Sequence, residues 1–265
     1  MIPTAKNTIT RENVSYTIGS TIQPPTAILL AGGLSTRMGC CKQLLPLCGK
    51  PLIGYVIETL LEAGLTHLVI TVNSETQQPI AEMIEHLAQS QWGQNESLKE
   101  PAGGSGIFSP FHCDIVFNPE PERGQGHSAA LAVQAACRGY AEGFATTANT
   151  AHTYNPCGFL FCTADQPFLQ AGSIRELCTV FLNNPEHIVS AAFNGKHCSP
   201  VIFPAALADE LSCLDGSIGG RTVMNAHPDL ILYSSLRSEM EAFDIDTPEE
   251  FRRAEEYLNE RMESY

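Results

Sequence analysis

An α/β fold is predicted, with a mostly parallel mixed sheet covered by helices on both faces. Two observations carry it. Apolar, β-prone runs alternate with amphipathic helical segments from Thr26 onward, and several runs are continuously apolar, as strands buried on both faces must be. A third observation adds mixed character: the last runs follow one another across short gaps, which requires some antiparallel pairing.

Strands are expected at Thr26–Leu30, His67–Val72, Cys113–Phe117, Gly158–Thr163, His187–Phe193, Ser199–Phe203 and Asp229–Tyr233. Helices are expected at Pro51–Ala63, Gln77–Ala88, Ser128–Tyr140, Ser173–Leu182 and Pro248–Asn259. Pro51 and Pro248 suit first helical positions. Thr247-Pro-Glu-Glu250 reads as a capping box opening the last helix. Residues 1–24 read as a loose extension. Residues 25–265 read as a single domain, with polar insertions near 89–111 and 145–156.

The chain has 265 residues, of which 43% are hydrophobic and 17% charged, enough for a dry core. Its 15 basic and 29 acidic residues leave a net charge of -14, so a phosphate backbone is repelled and nucleic acid is excluded as main partner. No run approaches the ~18 apolar residues of a membrane span, and the N-terminal residues carry no apolar secretory core. The ten cysteines are scattered without a CxxC pair, some inside strand-like runs. The expected compartment is the reducing cytoplasm.

Chemistry concentrates in three segments. In Ala27-Ile-Leu-Leu-Ala-Gly-Gly-Leu-Ser-Thr-Arg-Met-Gly-Cys-Cys-Lys42, a buried strand runs into a glycine-rich loop carrying Arg37 and Lys42. Glycines let backbone N–H groups approach a phosphate. No Asp or Glu occurs from Asn13 to Ile57, while Arg37, Lys42 and Lys50 do. An acidic protein thus concentrates positive charge around one loop, which suits a triphosphate. It is not a Walker loop. In Gly158–Phe168, a strand ends at Asp165, where a carboxylate can hold Mg2+ against phosphate oxygens; a turn-forming Asp before Pro167 is the plainer alternative. In Phe243-Asp-Ile-Asp-Thr-Pro-Glu-Glu250, Asp244 and Asp246 point the same way if the segment is extended, so spacing does not choose between them.

Other patterns are weaker. Gly124-Gln-Gly-His-Ser-Ala129 fits a dinucleotide fingerprint, but the preceding strand ends too early for that turn, so the loop is kept only as a ligand wall. His127 beside Ser128 has no visible acidic partner for a triad. Cys40 and Cys41 lack an identifiable base. Arg221 meets an anion or caps a turn.

With these residues in view, LLAGGLSTRMGCCKQLLPLCGKPLI resembles the opening motif of the MobA-like NTP transferases, nucleotidyltransferases of the nucleotide-diphospho-sugar transferase fold. The resemblance is strongest to the molybdenum cofactor cytidylyltransferase group and its guanylyltransferase relatives. Asp165-Gln166-Pro167, the loop Gly124–Ser128, Ser199–Pro204, Gly219-Gly220-Arg221 and DIDTPEE match in family order, covering roughly residues 26–257. The resemblance implies a Rossmann-like three-layer sandwich. It implies that Ala31, Gly32, Gly33, Arg37 and Lys42 cradle the triphosphate, with Arg37, Lys42 and Asp165 catalytic. It further implies that Gly124 and Ser128 line the nucleoside and that Asp165 and Asp246 hold Mg2+.

The implied reaction joins CMP from CTP to the phosphate of molybdopterin carrying molybdenum, releases pyrophosphate, and hands the product to a molybdoenzyme. Two departures stand out. Leu30-Ala31-Gly32-Gly33 matches guanylyl members, which use GTP, where cytidylyl members have Leu-Ala-Ala-Gly. Cys198-Ser199-Pro200 stands where the family has Gly-His-Pro. Guanylyl transfer, cytidylyl transfer to a sugar or alditol phosphate, and a cofactor-delivery chaperone remain as alternatives.

Overall fold

The structure is a computed structural model describing residues 24–33, 41–89, 111–141 and 156–263. Residues 1–23 of the N-terminal extension, most of both expected insertions, Arg37 and Cys40 lie outside the described residues.

In chain order, β1 (Thr26–Leu30) is followed by a small hairpin, β2 (Pro46–Leu47) and β3 (Lys50–Pro51). Then come α1 (Leu52–Glu62), β4 (His67–Val72), α2 (Gln77–Gln89), β5 (His112–Phe117), α3 (Gln125–Ala141) and β6 (Gly158–Thr163). The second half holds α4 (Ala171–Asn183), β7 (Ile188–Phe193), β8 (Lys196–Pro204), α5 (Ala208–Ser212), α6 (Arg221–Ala226), β9 (Ile231–Ser235) and α7 (Pro248–Glu263).

Seven strands form one sheet in the order β5-β4-β1-β6-β8-β7-β9. Every neighbouring pair is parallel except those made by β8, which runs against both β6 and β7. The tight β7–β8 connection forces that reversal; the other strands return through helical crossovers. From β1 the chain first steps towards β4 and β5, and only later returns to the other flank at β6. The crevice between the carboxyl ends of β1 and β6 is therefore the topological switch point, where open α/β sheets bind ligands.

Side chains alternate across the sheet. Ala27 and Leu29 join α1, α2 and α4 through Ile53, Ile57, Ile80, Leu177 and Phe181. Ile28 and Phe159 face α3, α5 and α6 through Val133, Leu211 and Met224. Helices thus close both faces, and the three-layer sandwich is observed. Gly158 opens β6 because a Cβ there would lie 2.5 Å from Phe181 Cζ and 2.6 Å from the Phe203 carbonyl oxygen.

Several expected boundaries shift, three of them for plain local reasons. Pro51 closes β3 with an extended ψ of 143°, and the helix opens one residue later at Leu52. The last strand starts at Ile231, because Pro228–Leu230 winds into a 3-10 turn that suits Pro at its first position. β7 starts at Ile188, since the His187 N–H closes a turn on the Asn184 carbonyl. No helix among the described residues is long and apolar enough to cross a membrane.

Candidate active site

Three distant segments meet at the switch point. The loop after β6 carries Asp165, the turn before β2 carries Lys42, and the segment before α7 carries Asp246. A small apolar cluster of Leu47, Leu52, Phe168, Ile245 and Ala254 binds them together. Phe168 packs edge-on against Tyr257 at 4.9 Å between ring centroids. The Ile245 N–H donates to the Asp165 carbonyl oxygen at 3.1 Å, which fixes the C-terminal segment beside the β6 loop.

The capping box then sets the direction of Asp246. Glu250 Oε2 accepts from the Asp246 and Thr247 N–H groups at 2.8 and 2.9 Å, while Thr247 Oγ1 accepts from the Glu250 N–H at 3.2 Å. With its backbone held, Asp246 Oδ1 meets Lys42 Nζ at 2.6 Å, and Asp165 Oδ2 meets the same ammonium at 2.6 Å. Residues 243–247 form no strand, so alternation does not govern their side chains. Asp246 turns to Lys42, and Asp244 takes a hydrogen bond from the Gln166 side chain.

The electrostatics favour a bound cation. Burial alone would depress the Lys42 ammonium, but Asp165 and Asp246 outweigh it and raise its pKa. Burial, reinforced by Asp165, pushes the Asp244 carboxyl up to about 6, against the Gln166 hydrogen bond. Among the described residues, Asp165, Asp244 and Asp246, when ionised, against Lys42 sum to a charge of -2. Asp165 Oδ1 is buried without a hydrogen-bond partner. A buried carboxylate oxygen left bare is costly unless something cationic meets it. Among the described residues no three His, Cys, Asp or Glu side chains converge as a metal cage. The paired carboxylates of Asp165 and Asp246 are hard oxygen donors, the kind that suit a divalent cation beside phosphate oxygens.

The cleft has a volume of about 870 Å³. Gly32, Gly33, Lys42, Gly124, Ser128, Asp165 and Asp246 all line it. Ala31 does not: it is fully buried, and its N–H is spent on the Thr71 carbonyl at 3.1 Å. The glycine carbonyls are held from below, Asn73 Nδ2 lying 3.4 Å from both the Gly32 and Gly33 oxygens. Arg221 opens α6 on the far wall, exposed and lining the cleft.

The facing wall is a tight loop-on-loop contact. Gly124 has φ +94°, a conformation reserved largely for glycine. The Gly126 N–H donates to the Gly216 carbonyl at 2.8 Å, and a Cβ on Gly126 would lie 2.6 Å from the Asp215 carbonyl oxygen. Arg123 clasps Asp215 with two contacts at 3.2 and 3.0 Å and reaches Glu120 at 3.1 Å.

No triad forms here. His127 Nε2 stands 3.9 Å from Glu120 Oε2, while Ser128 Oγ accepts from Asn118 Nδ2 at 2.9 Å. Cys48, Cys113, Cys137, Cys162, Cys178, Cys198 and Cys213 are free thiols. Asn73 and Asn118 escape sequence reasoning, and Gln166 enters it only within the Asp165-Gln166-Pro167 motif and without a role, although each follows or closely follows the carboxyl end of a strand, where open α/β sheets keep their site residues.

Residues 27–230 match the model of the MobA-like NTP transferase domain. The chain is 25% identical over 234 residues to the purine catabolism protein PucB of Bacillus subtilis, covering 84% of this chain and 92% of that one. A 64-residue stretch is 42% identical to the molybdenum cofactor guanylyltransferase of Xanthomonas euvesicatoria, covering 24% of this chain and 34% of that one. Rv0371c of Mycobacterium tuberculosis shares the fold with a TM-score of 0.61 at 19% identity, over 89% of this chain and 100% of that one. The same mycobacterial protein has also been solved as a complex with manganese. The chain belongs to the MobA-like NTP transferase family and is a nucleotidyltransferase.

Proposed function

We propose that this chain transfers CMP from CTP to the terminal phosphate of molybdopterin carrying molybdenum, releasing pyrophosphate. The observation that supports the reading best is the meeting of Lys42, Asp165 and Asp246 at the switch point, facing the Gly32-Gly33 loop across one cleft.

An acceptor phosphate oxygen attacks the α-phosphorus of CTP. The new O–P bond forms as the bond to the β-phosphate breaks, and its electron pair departs with pyrophosphate. The acceptor is already ionised, so no strong general base is required. The barrier lies in bringing two anions together in line, and positioning with charge neutralisation lowers it. Lys42 supplies positive charge to the triphosphate, as does Arg37 by its place in the motif. The Gly32 and Gly33 backbone admits the phosphates closely. Arg221, on the opposite wall, meets the acceptor phosphate. Asp165 and Asp246 hold Mg2+, which when bound neutralises charge on the phosphoryl oxygens and the leaving pyrophosphate.

A second reading keeps the reaction and changes the base to guanine. Gly32 at the first turn and the 42% identical stretch shared with a guanylyltransferase favour it. Pyrophosphate release with molybdenum-loaded molybdopterin and either CTP or GTP separates the two. Release with CTP is expected. Release with GTP alone transfers the reading to guanylyl transfer, and release with neither overturns both.

A further inference from the structure

The two ends of the Asn118 amide are told apart by their partners. The Glu120 N–H points at Oδ1 at 2.9 Å, so that end must be the oxygen. Nδ2 then faces Ser128 Oγ at 2.9 Å and donates to it. The Ser128 oxygen therefore accepts, and its own proton is directed away from Asn118. Among the described residues nothing accepts that proton. Asn118 is 1% exposed, too enclosed for its amide to turn over freely. Ser128 sits in the first turn of α3 and lines the cleft across from Gly32, where a Cβ would come within 3.4 Å of Ser128 Oγ.

We infer that Asn118 is a positioning residue that fixes the Ser128 hydroxyl as a hydrogen-bond donor to an acceptor atom of the nucleoside. This rests on the reading of the cleft as a nucleoside triphosphate site. A hydroxyl normally turns its proton to suit either a donor or an acceptor. Here one of its lone pairs is taken by a buried amide whose orientation is set by the backbone, so it favours ligands that offer an oxygen or an unprotonated nitrogen. Cytosine offers both on one edge, and the ribose offers oxygens. Asn118 touches no ligand in this account. It acts by holding the polarity of the group that does.

The test is a cycle of variants read by the dissociation constant of CTP and by KM and kcat separately. Asn118→Asp keeps an acceptor for the Glu120 N–H but turns a second acceptor to Ser128, which captures the hydroxyl proton. Ser128→Ala should weaken CTP about three- to tenfold when residue 118 is Asn, the range of one net hydrogen bond, with the loss falling more on KM than on kcat. When residue 118 is Asp, Ser128→Ala should change CTP binding by less than about twofold, because the donor is already lost. Any general repulsion from the new carboxylate acts in both halves of the cycle and cancels.

Equal penalties in the two backgrounds overturn the inference, as does unchanged CTP binding in Ser128→Ala alone, which decides the matter even if Asn118→Asp fails to fold. Ribose 5-triphosphate, which lacks the base, tells the two acceptors apart. A Ser128→Ala penalty with CTP only puts the contact on the base, and a penalty with both puts it on the ribose. A wild-type protein that binds no nucleoside triphosphate defeats the proposed function and this inference together. One that binds CTP without a Ser128 effect defeats this inference alone.

Discussion

Lys42 and Asp165 lie 123 residues apart in the chain and 2.6 Å apart in the fold. Their side chains are only 13% and 14% exposed, while Asp246 on the other side of the ammonium is 41% exposed. The Asp165 limb is thus the enclosed one. Lys42 stands between the two carboxylates that are proposed to hold a divalent ion, so ammonium and metal compete for the same oxygens.

Lys42→Met should accordingly strengthen Mn2+ binding to the nucleotide-free protein while slowing turnover. A gain of about tenfold is expected, comparable to removing one charge-assisted contact. Titration followed by electron paramagnetic resonance reads it without any catalysis. Weaker Mn2+ binding in the variant would show that Lys42 helps to hold the metal.

Gly32→Ala should alter the ratio of CTP to GTP specificity constants more than it alters stability. A Cβ there would meet Ser128 Oγ at 3.4 Å and the Val72 carbonyl carbon at 3.6 Å, both ordinary contacts, so the loop need not move. The methyl would nonetheless crowd the hydroxyl facing the nucleoside. A ratio unchanged within about twofold, a fraction of a kcal/mol, would place base choice elsewhere.

Gly126→Ala should cost stability, about 1–3 kcal/mol by analogy with overpacked sites. Its Cβ would lie 2.6 Å from the Asp215 carbonyl oxygen and 2.9 Å from that of Gly216, and backbone cannot swing aside as a side chain can. Thermal unfolding reads the loss directly. A melting temperature equal to wild type would mean that the loops can part without cost.

The pH dependence of stability should carry a contribution from His67. Burial lowers its pKa to about 4, with His112 adding to the effect and Asp114 opposing it. An unfolded histidine titrates near 6.5. Between those values the unfolded chain takes up the proton first, so stability falls as pH drops from about 6.5 towards 4 and then levels. A His67→Gln variant should lose less stability than wild type between pH 7 and pH 4.5. Parallel curves for the two proteins would remove His67 from the account.

The sequence pattern reads β1, β4 and β6 to the residue because strands buried on both faces are unbroken apolar runs. It misses β2–β3, whose two-residue strands each contain a proline, and α5 and α6, which are too short to show a helical period. Helix α3 opens three residues before the expected Ser128, because Gly124 takes a positive φ and the chain winds from Gln125.

At the site, the charged residues are legible: Lys42, Asp165 and Asp246 do converge. The roles of Asn73, Asn118 and Gln166 are not, because each works through a neighbour's atoms. Such a role depends on which groups the fold brings within 3 Å or so, and no spacing in the chain encodes that.

The most direct measurement of the central claim is pyrophosphate release from CTP and molybdenum-loaded molybdopterin by wild type and by Asp165→Asn, each titrated with Mg2+. Asn keeps the shape and one carbonyl oxygen but removes the charge, and Lys42 retains Asp246, so the variant should fold. Wild type should turn over, and Asp165→Asn should lose activity at least a hundredfold, about 2.7 kcal/mol of transition-state stabilisation, with little recovery at high Mg2+. Near-normal release by Asp165→Asn would contradict the account, because a residue that only shaped the turn after β6 would be replaced by Asn without loss.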